Sequence, residues 1–378
     1  MRRFIVLALA ALLVLAGISP ADAQAPAAPA QKGATKKDTK KGEIRVQGER
    51  LNGPAEPAVR SPTAPLLDMR EEMRRFVQAS AAFVRGQRAD FAVIAEGGLD
   101  LLVKQDEADR LKTAPARAYM QTLDGILVPG LFFDDPAKPG VEPSPERLKR
   151  RLALLETARA ERIKLMVVDF VRNADEAGEA IRRAAEIGAI PFPAPRAIDL
   201  INALPRFPER PYRENGESIV SFPAVRNFMI LSDSRPFGRE DEFALKMHDT
   251  NFDAVIVDVF HGRQPLSRQA VETLKYKKLG SRRLVLARVD IATISAGSFF
   301  WKPGWREGNP GFIGSPMSGD PDRHWVQYWR PAWQRIVNGG NDSYLYGVVA
   351  QGFDGVVLAG LDAWYQFDPG IKDEETRP

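Results

Sequence analysis

The chain has no cysteine among its 378 residues. This excludes a disulfide staple, a thiolate metal site and a cysteine nucleophile, and it suits an export compartment where stray thiols would oxidise. Histidine is nearly as scarce: His248, His261 and His324 stand far apart, without HExxH or related spacing, so a zinc site has no sequence support. There is no GxGxxG after a strand, no GxxxxGK[ST] and no GxSxG, so nucleotide binding and serine hydrolysis lack their motifs. No cofactor is expected. The glycines of PGWREGNPGFIGSP precede no helix N-terminus and make a poor phosphate cradle.

What is present begins with a targeting segment. Arg2 and Arg3 precede the apolar run FIVLALAALLVLAGI, and Ala21-Asp22-Ala23 offers a small-x-small cleavage site, so residues 1–23 read as a signal peptide cut after Ala23. The run is shorter than the roughly 20 residues a membrane-spanning helix needs, which predicts no stable membrane insertion after cleavage and a periplasmic or secreted product. Residues 24–64 are rich in Ala, Pro and Lys without hydrophobic periodicity and read as a flexible linker. That linker carries eight Lys and Arg against four acids, so most of the net +4 lies there. The remaining body is nearly neutral, which argues against a nucleic-acid surface.

From residue 65 the chain alternates β-rich runs with amphipathic stretches. Eight runs stand out: FAVIAE (91–96), DGILVP (124–129), KLMVVDF (164–170), AIPFPA (189–194), RNFMILS (226–232), FDAVIVDVF (252–260), RLVLARVD (283–290) and GVVLAG (355–360). They are nearly continuous apolar segments, the pattern of parallel strands covered on both faces. Between most of them fall helical stretches. REEMRRFVQASAAFVRGQ sets Met73, Phe76, Val77, Ala81 and Val84 on one face; SPERLKRRLALLETARAE opens with Ser144 as N-cap and Pro145 at the first helical position. LSRQAVETLKYKKLG is expected to end in a Lys-rich last turn before Gly280. Eight buried strands with crossover helices predict one (β/α)8 TIM barrel domain over 65–378, with an open doubly wound sheet as the other topology.

In such a barrel, chemistry sits at the C-terminal ends of the strands. Glu96, Asp169, Asp258 and Asp290 close four of the runs, Asp134 and Asp135 follow the second, and Asp362 follows the eighth. Carboxylates converging on one mouth can work as acid and base in glycosidic cleavage. A strand-end Asp also commonly caps a helix or anchors a loop, so the convergence of several carries the inference. His261 is the one histidine near a strand end and is a candidate for the mouth.

FDAVIVDVF, LVLARVDIATISAGSFFWKPGW, WVQYWRPAWQRIV and AQGFDGVVLAGLDAWYQF resemble successive signatures of glycoside hydrolase family 114, the endo-α-1,4-polygalactosaminidase-like barrels. MREEMRRFVQASAAF, FAVIAEGGLDLL, LDGILVPGLFF, LMVVDFV and APRAIDLI are similar to segments that ordinarily come later in that family. The resemblance therefore implies a circularly permuted barrel, covering about residues 66–366. It retains Asp258, Asp169 and Asp362, but Ala292 and Thr293 stand where the family has a Gly-Glu pair, Ala359 stands for an Asp, and Pro129 and Gly130 for an acidic pair.

Five of six tryptophans lie within 299–333, and the sixth is Trp364. Indole and phenol rings stack on the apolar faces of sugars. In the family reading WKPGW and WVQYW belong to the long loop after RLVLARVD, at the mouth; Trp301, Trp305, Trp325, Tyr328 and Trp364 are candidates for a sugar cleft, and Trp329 and Trp333 for packing. The expectation is an exported glycoside-hydrolase-like barrel acting on an envelope or extracellular polysaccharide or oligosaccharide, amino-sugar rich, with weakened or altered catalysis. Asp258 and Asp290 are its expected catalytic pair, with Asp362, Asp169 and Glu96 positioning substrate. The alternatives are an inactive glycan-binding barrel and an envelope scaffold protein.

Overall fold

The computed structural model describes residues 67–105 and 112–368. The expected signal peptide and the whole of the linker lie outside them. Eight parallel strands form one sheet: β1 (Ala92–Glu96), β2 (Gly125–Pro129), β3 (Lys164–Phe170), β4 (Ile190–Ala194), β5 (Phe228–Leu231), β6 (Ala254–Asp258), β7 (Leu284–Asp290) and β8 (Gly355–Ala359). They fall within the eight apolar runs. The hydrogen-bonded order is β4-β3-β2-β1-β8-β7-β6-β5, with the first and last strands in sequence paired through Ala92 and Gly355. Between β4 and β5 the ladder is missing, and the Phe192 and Phe228 rings meet there at 5.5 Å. The architecture is thus a nearly closed α/β barrel of the TIM type, not an open doubly wound sheet.

The strands are apolar on both faces because both are covered: Val93, Ile94, Val167, Val255, Leu286 and Val357 are all inaccessible to solvent. Gly355 is required by the tight β1–β8 pairing, since a Cβ there would stand 2.6 Å from the Ala92 carbonyl oxygen. The helix α1 (Met69–Gln87) buries Met73, Phe76, Val77, Ala81 and Val84 as its periodicity predicts. At roughly 1.5–3 kcal/mol per fully buried large apolar side chain, this face fastens α1 to the barrel's helical layer. It packs there against α6 (Pro331–Asn338) and α7 (Tyr344–Gln351), where α2 to α5 are Pro145–Ala160, Ala174–Glu186, Glu240–His248 and Arg268–Leu274. Ser144 caps α2 by accepting from the Arg147 N–H, with Pro145 at the first position.

Two local expectations are corrected. Helix α5 stops at Leu274, so the lysines beyond it do not form a solvated last turn. Lys277 is instead wholly buried, its Nζ donating to Asp253 Oδ1 at 2.6 Å. The WKPGW to WVQYW region is more than a loop: Thr293–Ser295, Ile313–Met317 and Asp320–Val326 form a three-stranded antiparallel sheet between β7 and α6. Its glycines, prolines and interrupted register hide the period-two pattern that marks a strand.

Candidate active site

The carboxyl ends of β6 and β7 border a cleft of about 720 Å3. Asp258 and Arg288 are level in the β6–β7 ladder, and Asp290 lies two residues further along the same face. That offset puts the Asp258 and Asp290 Cα atoms roughly 8 Å apart from strand spacing and rise. Both line the cleft, with Asp199, Arg288, Thr293, Arg323 and Ser232.

The acids differ in what holds them. Asp290 accepts from the Ala292 and Thr293 N–H groups at 2.9 and 3.0 Å, from the Thr293 hydroxyl at 2.6 Å and from Arg323 Nη2 at 2.5 Å. Thr293 also accepts from Arg323 Nε at 2.8 Å. Arg288 grips Glu96 with two 2.6 Å bonds and also meets Asp199, which in turn meets Arg323 at 3.1 Å. Three carboxylates and two guanidiniums therefore form one network across the mouth. Burial favours a neutral Asp199, but Arg288 and Arg323 outweigh it and hold its pKa below the ordinary value. Burial likewise opposes charge on Arg288, and Glu96, Asp199 and Asp290 more than offset that.

Asp258 makes no ion pair among the described residues and accepts a single N–H, from Phe260 at 2.8 Å. Burial pushes its pKa up from 3.8 to about 6; the Phe260 N–H and Arg288 oppose the shift, while Asp199 and Asp233 add to it. Tyr344 also lines the cleft, and burial together with the charges of Asp258 and Asp290 keeps its hydroxyl protonated. The site thus offers a protonatable carboxyl, a neutral phenol donor and a cation-bound carboxylate.

The aromatic wall is not made of tryptophan. Phe260, Phe299, Phe300 and Tyr344 line the cleft and touch one another at 4.8–6.2 Å between centroids. Trp301 and Trp305 pack together at 5.8 Å, against His324 and Phe312 respectively. Trp325 is level with Thr293 in the three-stranded sheet and is partly buried. Tyr328 and Trp364 are fully buried, which removes both rings from the cleft: Tyr328 donates its hydroxyl to the Met69 carbonyl at 2.7 Å, and the Arg70 guanidinium covers Trp364 at 4.0 Å. Trp333 is buried with its N–H on the Ile291 carbonyl at 2.8 Å, and Trp329 packs on Phe367 at 4.9 Å.

Other expected site residues are placed as follows. Asp169 is buried and accepts from the Phe132 and Phe133 N–H groups at 2.7 and 3.0 Å, anchoring the loop after β2; burial raises its pKa to about 6. His261 is pinned between Ser234 at 2.8 Å and the Gly238 carbonyl at 2.9 Å, and its ring stacks on Phe243. Glu96 and Asp362 belong to a neighbouring recess of about 340 Å3, which shares Asp199 and Arg288 with the main cleft. Burial raises Asp362 to about 6 against the Gly98 N–H it accepts at 2.8 Å. Asp134 lines that recess too, paired with Arg147. Sequence reasoning missed Asp199, Arg288, Arg323 and Tyr344. The Arg288 position was discoverable, because a charged residue inside a buried strand demands a partner. Among the described residues no group of three or more His, Asp or Glu is arranged to hold a metal ion.

Gly97 is a backbone constraint on the mouth. It has φ +73°, and a Cβ would lie 2.2 Å from Asp362 Oδ2. Gly97→Ala is expected to lose about 1–3 kcal/mol, from the left-handed backbone and the displaced carboxyl together. A denaturant midpoint unchanged from wild type would contradict this.

The fold and its mouth define an α/β barrel with an arginine-braced, acid-bearing cleft. No protein-family model matches the chain. A stretch of 135 residues is 30% identical to a Deinococcus radiodurans protein described as "Uncharacterized protein", covering 34% of this chain. The chain spans 40% of that relative's length.

Proposed function

We propose that the chain is an exported, glycoside-hydrolase-like barrel acting on an envelope or extracellular polysaccharide, with amino-sugar polymers as its first candidates. The reading includes the resemblance to glycoside hydrolase family 114 in circularly permuted order. The observation that carries it is the cleft's pairing of a half-buried Asp258, unbridged among the described residues, with an Arg323-bound Asp290 beside the Phe260, Phe299, Phe300 and Tyr344 wall. Two carboxyl groups in unlike environments are what acid–base chemistry needs. Asp258, able to hold a proton to about pH 6, serves as general acid to the leaving glycosidic oxygen. As the C–O bond breaks, the hydroxyl of water ends on the anomeric carbon, and Asp290 is the ionised partner that receives water's other proton. The phenyl rings supply stacking faces.

A second reading has its own support. Asp290 already accepts four hydrogen bonds, one from a guanidinium, so its oxygens are occupied by protein donors, and Thr293 stands where the resemblance implies a Glu. On this reading the barrel binds glycan without cleaving it. Incubation with amino-sugar polymers, assayed for new reducing ends, separates the two when paired with a fluorescence titration. Turnover with binding supports the hydrolase, and saturable binding without turnover supports the silent barrel. Neither binding nor turnover across a glycan panel would overturn both.

A further inference from the structure

At the opposite, amino-terminal end of the barrel, the missing β4–β5 ladder leaves a recess of about 450 Å3 under the starts of β3 and β4. Four cations line it, Arg159, Lys164, Arg213 and Arg226, and no carboxylate does. Tyr212 supplies a ring. From this geometry we propose a binding site for a phosphate or sulfate group, separate from the acid-bearing mouth and independent of the hydrolase reading.

Three observations support it. Lys164 is the first residue of β3, and its Nζ spends two 2.6 Å bonds on the Pro223 and Val225 carbonyls, which hold the ammonium at the recess without neutralising it. Burial, and to a lesser extent Arg226, lower its pKa to about 8, and the acid that opposes them, Asp253, is already bound to the buried Lys277. Next, Arg213 adopts φ 47°, a left-handed conformation that side chains other than glycine seldom take, and its guanidinium sits 5.1 Å from the Tyr212 ring. No ion pair to Arg213 occurs among the described residues. Last, among the described residues the acid partners of Arg226 and Arg159 are the solvent-exposed Glu217 and Glu156, which a bound oxyanion can outcompete. A tetrahedral oxyanion would satisfy the forked guanidinium donors and the ammonium at once.

The test is titration of the full chain with inorganic phosphate, inorganic sulfate and glycerol 3-phosphate, against chloride at matched ionic strength, by calorimetry. Saturable binding of at least one oxyanion is expected. Arg213→Ala and Arg159→Ala, both exposed and remote from the core, should each weaken it by roughly tenfold or more, the loss of one charge-assisted contact. Preference for glycerol 3-phosphate over the free anions would identify a phosphomonoester ligand, whereas equal affinity would identify the bare oxyanion. Binding no stronger than chloride would overturn the site. So would oxyanion binding that both variants leave unchanged, since it would then lie elsewhere.

Discussion

Asp258→Asn is expected, on the hydrolase reading, to abolish hydrolysis, and on either reading to make the protein more stable at neutral pH. Removing a general acid typically costs roughly 10²- to 10⁴-fold in rate. The stability gain follows from the burial that tunes the group. The Asp258 pKa is raised from 3.8 to about 6, so between those values the native state keeps a proton that the unfolded chain has lost. Stability therefore falls as pH rises through that window, and the full cost is present at pH 7. A shift of this size corresponds to about 1–3 kcal/mol. Asparagine is neutral at every pH and retains an acceptor for the Phe260 N–H. Wild type and variant should thus melt together below about pH 4 and separate between pH 4 and 6, with the variant the more stable. Asp169 and Asp362 add the same sign of slope to both proteins and cancel in the comparison. Undiminished reducing-end release by the variant would remove Asp258 from the mechanism; identical melting at pH 7 would show that its carboxylate is not held at a cost.

The largest loss of stability is expected at the other end of the barrel. Asp253 and Lys277 are both wholly buried, and Asp253 also accepts from Asn215 Nδ2 at 3.1 Å and from the Arg226 N–H at 2.9 Å. Asp253→Ala strands the ammonium and two N–H donors, at a cost of about 3–5 kcal/mol. The double replacement Asp253→Ala with Lys277→Met should recover part of that, because it removes the uncompensated charge. Urea unfolding of the two variants is the measurement. A double variant no better than the single would mean that the damage comes from the lost Asn215 and Arg226 contacts rather than from the buried cation.

The long-range polar contacts explain why the roles of the acids were hard to read. Asp290 and Glu96 look equivalent as strand-end acids, but one is braced by Arg323 and the other by Arg288, partners 33 and 192 residues away. Asp258 and Asp169 carry similar raised pKa values, yet one faces the cleft and the other ties down the loop after β2. An indole satisfies a core and a cleft equally well, so the tryptophan cluster did not reveal which rings would be exposed. In the folded chain Trp301 packs on His324 and Trp305 on Phe312, while Phe299 and Phe300 stand at the cleft.

What the sequence determined by itself was the eight-stranded barrel and the clustering of acids at its carboxyl end, because two-sided burial writes each strand as an apolar run and parallel topology sends the strand ends to one rim. Helix α1 and the Ser144 cap of α2 were equally legible, being local patterns. The tertiary structure alone decided which acids are braced and which is left protonatable, which rings line the cleft, and that Lys277 is a core residue. Those outcomes depend on pairings between segments far apart in the chain, and on the desolvation that follows once the barrel has closed around them.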